Sequence, residues 1–255
     1  MIFETHAHYD DEQFDLDRDQ ILGSMQKGDV GTIVNVGASL ASSRASVSLA
    51  ERYPFIYAAV GVHPDHAGEM DEDGLRELRG LCGGDKVVAV GEIGLDYYWD
   101  EAPRDVQKEW FVRQLELARE MSLPVIIHSR DAAADTLEIM QSHARGLMGV
   151  IHCFSYSKEL AREYVKMGFF IGVGGVVTFK NGRRLKEVVE DIPLSSIVLE
   201  TDCPYLAPVP NRGKRNSSLN LPYVVREIAE IKGISCEEVM AQTEKNAKIL
   251  YGMRD

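Results

Sequence analysis

None of the four cysteines, Cys82, Cys153, Cys203 and Cys236, lies close enough to another to form a CxxC motif. That absence excludes a zinc ribbon and a disulfide-stapled scaffold, and it fits reduced thiols in a cytoplasmic protein. Long apolar runs are missing too: nothing approaches the ~20 residues of a membrane span. The opening Met1-Ile2-Phe3-Glu4-Thr5-His6 has neither the basic flank nor the apolar stretch of a signal peptide. Basic charge is in deficit, with 28 Lys and Arg against 40 Asp and Glu and a formal net charge of −12. A non-specific nucleic-acid coat would be basic, so any nucleic-acid substrate must be met by a local basic patch or by metal ions. There are no linkers, low-complexity tracts or composition breaks, so residues 1–255 read as one domain.

What is present is a short apolar run followed by an amphipathic stretch, repeated to the end. The pattern predicts strands over residues 2–8, 31–36, 56–62, 87–93, 123–128, 149–154, 169–173 and 196–200. Several are near-continuously apolar, as strands buried on both faces of a parallel sheet are. Three- and four-residue apolar spacing predicts helices over 17–27, 40–52, 73–81, 106–121, 132–143, 158–166, 183–190, 222–231 and 235–250, the last with Ser235 as N-cap. Eight alternating β/α units imply an α/β fold of the (β/α)8 TIM-barrel class, with a doubly wound open sheet as the alternative.

The first strand ends in His6 and His8, and residues i and i+2 of a strand point to the same side. Further along, His63, Glu92, His128, His152, Glu200 and Asp202 all fall at the C-terminal ends of expected strands, where barrel chemistry sits. Core histidines have no reason to sort to one rim. Mixed imidazole and carboxylate donors suit divalent metals such as Mg, Mn or Zn, and there are enough for two ions. His6, His8 and Asp202 are expected to hold one and His128 and His152 the other, with Glu92 between them. Such a site activates water for an in-line displacement, with Asp202 or Glu200, expected to share a strand face as His6 and His8 do, accepting its proton. Cys153 and Cys203, each directly after a ligand, are expected to face away from the site.

Thr5-His6-Ala7-His8, Gly61-Val62-His63-Pro64, Gly91-Glu92-Ile93-Gly94-Leu95-Asp96, Ile127-His128-Ser129-Arg130-Asp131, Ile151-His152-Cys153-Phe154 and Leu199-Glu200-Thr201-Asp202-Cys203-Pro204 follow one another in order. As a set they resemble the TatD family of metal-dependent deoxyribonucleases, within the amidohydrolase-like metal barrels. The resemblance implies a TIM barrel with His6, His8, Glu92, His128, His152 and Asp202 as metal ligands. It also implies metal-dependent hydrolysis of DNA phosphodiesters, often 3′ to 5′ on single strands, and places His63 and Arg130 near the bound phosphate.

Two basic clusters, at 179–184 and 211–216, follow the last two strands, where barrels commonly bind phosphate. Arg212 and Lys214 are the candidate substrate contacts there. Tyr97, Tyr98 and Trp99 offer a stacking surface for unpaired bases or a packed lid. The expected partner is DNA, with no membrane and no obligate protein partner. A metal site makes a nucleophile without choosing the leaving group, so hydrolysis of another ester, such as an aminoacyl-tRNA ester, is the alternative. An inactive binding protein is a further one, which the full ligand set disfavours.

Overall fold

The computed structural model describes residues 1–253. Its strands are β1 (Ile2–Ala7), β2 (Val30–Val36), β3 (Ile56–Val60), β4 (Val87–Asp96), β5 (Val125–Arg130), β6 (Gly149–Ile151), β7 (Phe169–Val173) and β8 (Ile197–Leu199). They follow chain order in one eight-stranded sheet, and each strand leads into one or more helical segments. This is the expected (β/α)8 succession. The helices are α1 (Arg18–Leu22), α2 (Leu40–Arg52), α3 (Glu72–Cys82), α4 (Arg104–Met121), α5 (Ala133–His143), α6 (Lys158–Lys166), α7 (Arg183–Asp191), α8 (Leu221–Lys232) and α9 (Cys236–Leu250). Among the described residues no helix is long and apolar enough to cross a membrane.

By packing, the chain divides into two compact units. The first comprises Met1–Asn35 and the chain from Cys153 onward. Within it β1 pairs in parallel with β2 on one side and lies beside β8 on the other, where a bridge joins Ala7 and Cys203. The ladder continues from β8 to β7. Helix α9 packs on β1 and β8, stacking Tyr251 on Phe3 at 5.9 Å and donating the Tyr251 hydroxyl to the Thr5 carbonyl at 2.8 Å. Its start is a capping box: the Ser235 hydroxyl accepts from the Glu238 N–H, and the Glu238 carboxylate accepts from the Ser235 N–H.

The second unit, Val36–His152, holds the parallel run from β3 to β6 with helices α2 to α5. Every residue of β4 is buried, which explains its near-continuous apolar reading. Its exceptions are Glu92 and Asp96, charged yet buried, so each needs partners.

Several expected boundaries move. The helix expected over 17–27 is α1 plus one 3-10 turn at Met25–Gly28, broken where Gly23 and Ser24 interrupt the helical run. β6 and β8 keep only three residues each, so His152, Glu200 and Asp202 lie just beyond strands rather than in them. β4 extends three residues past the expected end, which leaves Glu92 inside it rather than at its tip.

Candidate metal centre

The first unit carries one cluster of candidate ligands. His6, in β1, and His8, just beyond it, turn their rings to one side, as period-two spacing requires. Their Nε2 atoms lie 3.0 Å apart. Asp202 comes to them through the main chain: its N–H donates to the His6 carbonyl at 3.0 Å, while the His8 N–H donates to the Cys203 carbonyl at 2.9 Å. Its Oδ1 stands 3.4 Å from His8 Nε2 and 3.8 Å from His6 Nε2. Two imidazole nitrogens and a carboxylate oxygen aimed at one point repel one another unless a proton or cation lies between them. The donor set fits a divalent ion.

Beneath this cluster Glu4 is fully buried. Its Oε1 accepts from the main-chain N–H of His6 at 3.2 Å and of Thr201 at 2.9 Å, and its Oε2 accepts from the Thr201 hydroxyl at 2.7 Å. Burial pushes its carboxyl up to about 8, against the lowering effect of those hydrogen bonds. Glu200 is buried as well, with Oε1 accepting from the Cys153 N–H at 2.6 Å. A Cβ at Gly172 would lie 2.3 Å from Glu200 Oε2, so only glycine leaves this carboxylate its space. Two expectations change here. Glu200 and Asp202 do not share a strand face, because β8 stops at Leu199 and the chain crosses from β7, through Glu200 N–H to Val173 O, to β1. Cys153, at φ 44°, follows no strand alternation either, and it borders the cavity lined by Glu200 and Asp202.

The second unit carries the other cluster, centred on Glu92. Glu92 Oε1 lies 2.8 Å from His128 Nδ1, 3.5 Å from His152 Nε2 and 4.0 Å from His63 Nε2. His63 caps the 3-10 turn after β3, its Nδ1 accepting from the Asp65 N–H at 3.2 Å. The His63 and His128 rings meet edge to face, 4.2 Å between centroids. One ligand atom each from His63, Glu92 and His128 falls within 4.8 Å of the others. Burial disfavours charge on His128, yet Asp96 and Glu92 together push it up to about 9. A proton there marks where a cation is wanted.

Residues 3–252 match the family model described as TatD related DNase. The chain belongs to the TatD family. The uncharacterized metal-dependent hydrolase YabD of Bacillus subtilis is 45% identical over 252 residues, 98% of this chain and 99% of its own. A 3′-5′ ssDNA/RNA exonuclease TatD of Cronobacter sakazakii is 34% identical, with 98% of this chain and 97% of that one covered. The crystal structure of YjjV, a TatD homologue of Escherichia coli K12, superimposes with a TM-score of 0.93 at 30% identity, over 99% of this chain and 98% of that one. The chain is thus a metal-dependent hydrolase on the TIM-barrel fold of its TatD relatives.

Of the candidate substrate contacts, His63 is half-buried, while Arg130, Arg212 and Lys214 are exposed. Arg130 lays its guanidinium 3.8 Å over the Tyr98 ring and 5.7 Å from Trp99, making one aromatic–cationic surface in the second unit. Tyr97 turns away, donating its hydroxyl to Asp135 at 2.7 Å. In the first unit Arg212 stacks 4.3 Å over Phe179, and Lys214 stands in solvent. Neighbouring Arg215 pairs with Asp17 and Arg183 with Glu187, so those two charges of the basic clusters are answered within the protein.

Asp96, Asp65 and Glu4 join these clusters without a signal of their own in the strand-end pattern. Asp96 Oδ2 lies 2.9 Å from His128 Nε2. Asp65 stands beside His63, its carboxyl raised first by burial and then by Asp96. The signal for Asp96 was available: it lies four residues after Glu92 in one strand and therefore on the same face.

Proposed function

We propose that this TatD-family hydrolase cleaves phosphodiester bonds in single-stranded DNA, acting 3′ to 5′ from the strand end with two divalent cations. It works as one barrel domain over residues 1–255, in the cytoplasm; four cysteines far apart in sequence, with no CxxC pair, support that reducing setting. The observation that carries the reading is the pair of ligand clusters. His6, His8 and Asp202 converge within 3.8 Å, and Glu92 is shared by His128 and His152 within 3.5 Å. The names borne by the exonuclease relatives support the choice of substrate.

In this reading His6, His8 and Asp202 would hold one ion and His128 and His152 the other, and Glu92 would serve both. Bound Mg, Mn or Zn would polarise the phosphoryl group and acidify the attacking water. Asp202 accepts the proton that the water loses, with Glu200 as the second carboxylate at hand. His63 and Arg130 hold the phosphate, and the Arg130–Tyr98–Trp99 surface takes an unpaired base by stacking. Arg212 and Lys214 supply positive charge to the following phosphates, which offsets the net charge of −12 locally.

The test strips the protein of metal, restores Mg, Mn or Zn, and follows 3′-labelled and 5′-labelled single-stranded DNA on a gel. The expected outcome is metal-dependent loss of the 3′ label before the 5′-labelled strand shortens stepwise. No cleavage with any metal, in protein shown to hold two ions, would overturn the nuclease reading in favour of another ester.

A further inference from the structure

Asp96 ends β4, with a side chain only 1% exposed. Its main chain is clamped by buried Gln107, whose Oε1 accepts from the Asp96 N–H at 2.9 Å and whose Nε2 donates to the Asp96 carbonyl at 3.1 Å. The two carboxylate oxygens have separate tasks. Oδ1 accepts from the main-chain N–H groups of Tyr98 and Trp99, both at 2.9 Å. Oδ2 faces His128 Nε2 at 2.9 Å. The other ring nitrogen, Nδ1, points into the ligand cluster at Glu92, 2.8 Å away. Gly94 makes this approach possible: at φ +146° it pairs with His128 in the β4–β5 register, and a Cβ there would lie 1.9 Å from the His128 carbonyl oxygen.

We infer that Asp96 is a positioning residue that selects the metal-facing nitrogen of His128. By accepting a proton from Nε2 it leaves the Nδ1 lone pair turned toward Glu92 and the ions. Because the same carboxylate anchors the Tyr98–Trp99 loop through its other oxygen, one side chain seats both a metal ligand and the aromatic surface. The inference rests on the reading of His128 as a ligand and deepens it.

The arrangement makes an unusual prediction about two variants. In D96N the amide oxygen must take the Oδ1 position, since an NH2 group there would confront two N–H donors. The NH2 group is then directed at His128 Nε2 and donates to it, which drives the ring proton onto Nδ1 and blocks the metal-facing lone pair. D96A removes the acceptor without imposing that tautomer, but it also strips the Tyr98 and Trp99 N–H groups of their partner. Stability and metal affinity should therefore rank the variants in opposite orders.

The experiment titrates wild type, D96A and D96N with Mn2+ and Zn2+ by calorimetry, and measures thermal unfolding of the metal-free proteins. D96A is expected to bind roughly 10-fold more weakly than wild type, in the range of lost outer-shell carboxylates. D96N should bind more weakly still while melting above D96A. In Zn2+-loaded wild type, long-range 15N spectra should show the His128 proton on Nε2. Metal affinity equal to wild type in D96N, or D96A the weakest binder as well as the least stable, would overturn the inference. Wild type that takes up no ion would overturn the metal reading and this inference together, a result distinct from either of those.

Discussion

The two clusters of candidate ligands are held by different means. Around His6, His8 and Asp202 the main chain does the placing: reciprocal N–H to carbonyl bonds tie residues 202–203 to β1, and buried Glu4 gathers the N–H groups of His6 and Thr201 from below. Around Glu92 the placing is done by side chains, with His128 gripped at one nitrogen by Glu92 and at the other by Asp96. A cluster fixed by backbone tolerates conservative side-chain change behind it but not a shift of strands. A cluster fixed by a carboxylate clamp is sensitive to the loss of a single oxygen.

The largest effect is expected at Glu92. Glu92→Ala should abolish turnover and lower the metal content measured after gel filtration, a loss beyond the roughly 100-fold of outer-shell changes. Near-wild-type turnover in that variant would falsify the shared-carboxylate mechanism. The next largest effect comes from moving the backbone in the second cluster, where Gly94→Ala sets a methyl group against the His128 carbonyl at a positive φ. It should cost roughly 2–4 kcal/mol in urea unfolding, through backbone strain and displacement of β5; a cost below 1 kcal/mol would mean that β5 can give way.

In the first cluster the next effect comes from Glu4. Its carboxyl titrates near 4.5 when unfolded and about 8 when folded, raised by burial. Between those pH values the folded protein holds a proton that the unfolded chain releases, so stability falls as pH rises from about 4.5 to 8. Glu4→Gln keeps an acceptor without the charge. The variant should gain in melting temperature relative to metal-stripped wild type at pH 8 and show no gain at pH 4.5; parallel profiles would refute the assignment. The smallest effect is expected outside both clusters. Arg212→Ala with Lys214→Ala should leave metal content unchanged and weaken DNA binding, lowering the slope of log affinity against log salt by about 1.4, from roughly 0.7 per single-strand phosphate contact. An unchanged slope would remove these residues from the substrate path.

Most of the barrel was legible because its evidence is periodic. Helices α2 and α6 match their expected spans at both ends, and the strand β7 does too. The clusters were legible because period-two spacing placed His6 with His8, and because polar residues closing apolar runs have few reasons to be there. What escaped reading depended on non-local pairing. The three-residue lengths of β6 and β8 are set by the strands beside them, and with them the left-handed turn at Cys153 that defeats alternation. Glu4 read as one polar residue in an apolar strand, since its partner Thr201 is 197 residues away. Asp96 closes the 91–96 motif in plain view; only the depth of β4 and the 2.9 Å approach of its Oδ2 to His128 reveal that it backs that ring.

The seating of β1 between β2 and β8 bears on how the protein is made. While the ribosome is still at work, the strand that carries His6 and His8 has one neighbour from early on, but its other flank lies bare until residues 197–203 emerge. At about 5–20 residues per second that wait is on the order of 10–40 s. A nascent chain stalled before β8 exposes an apolar edge and two histidines without Asp202, an invitation to chaperones, to stray metal and to neighbouring chains alike. Birth, rather than catalysis, is when this first strand is most vulnerable.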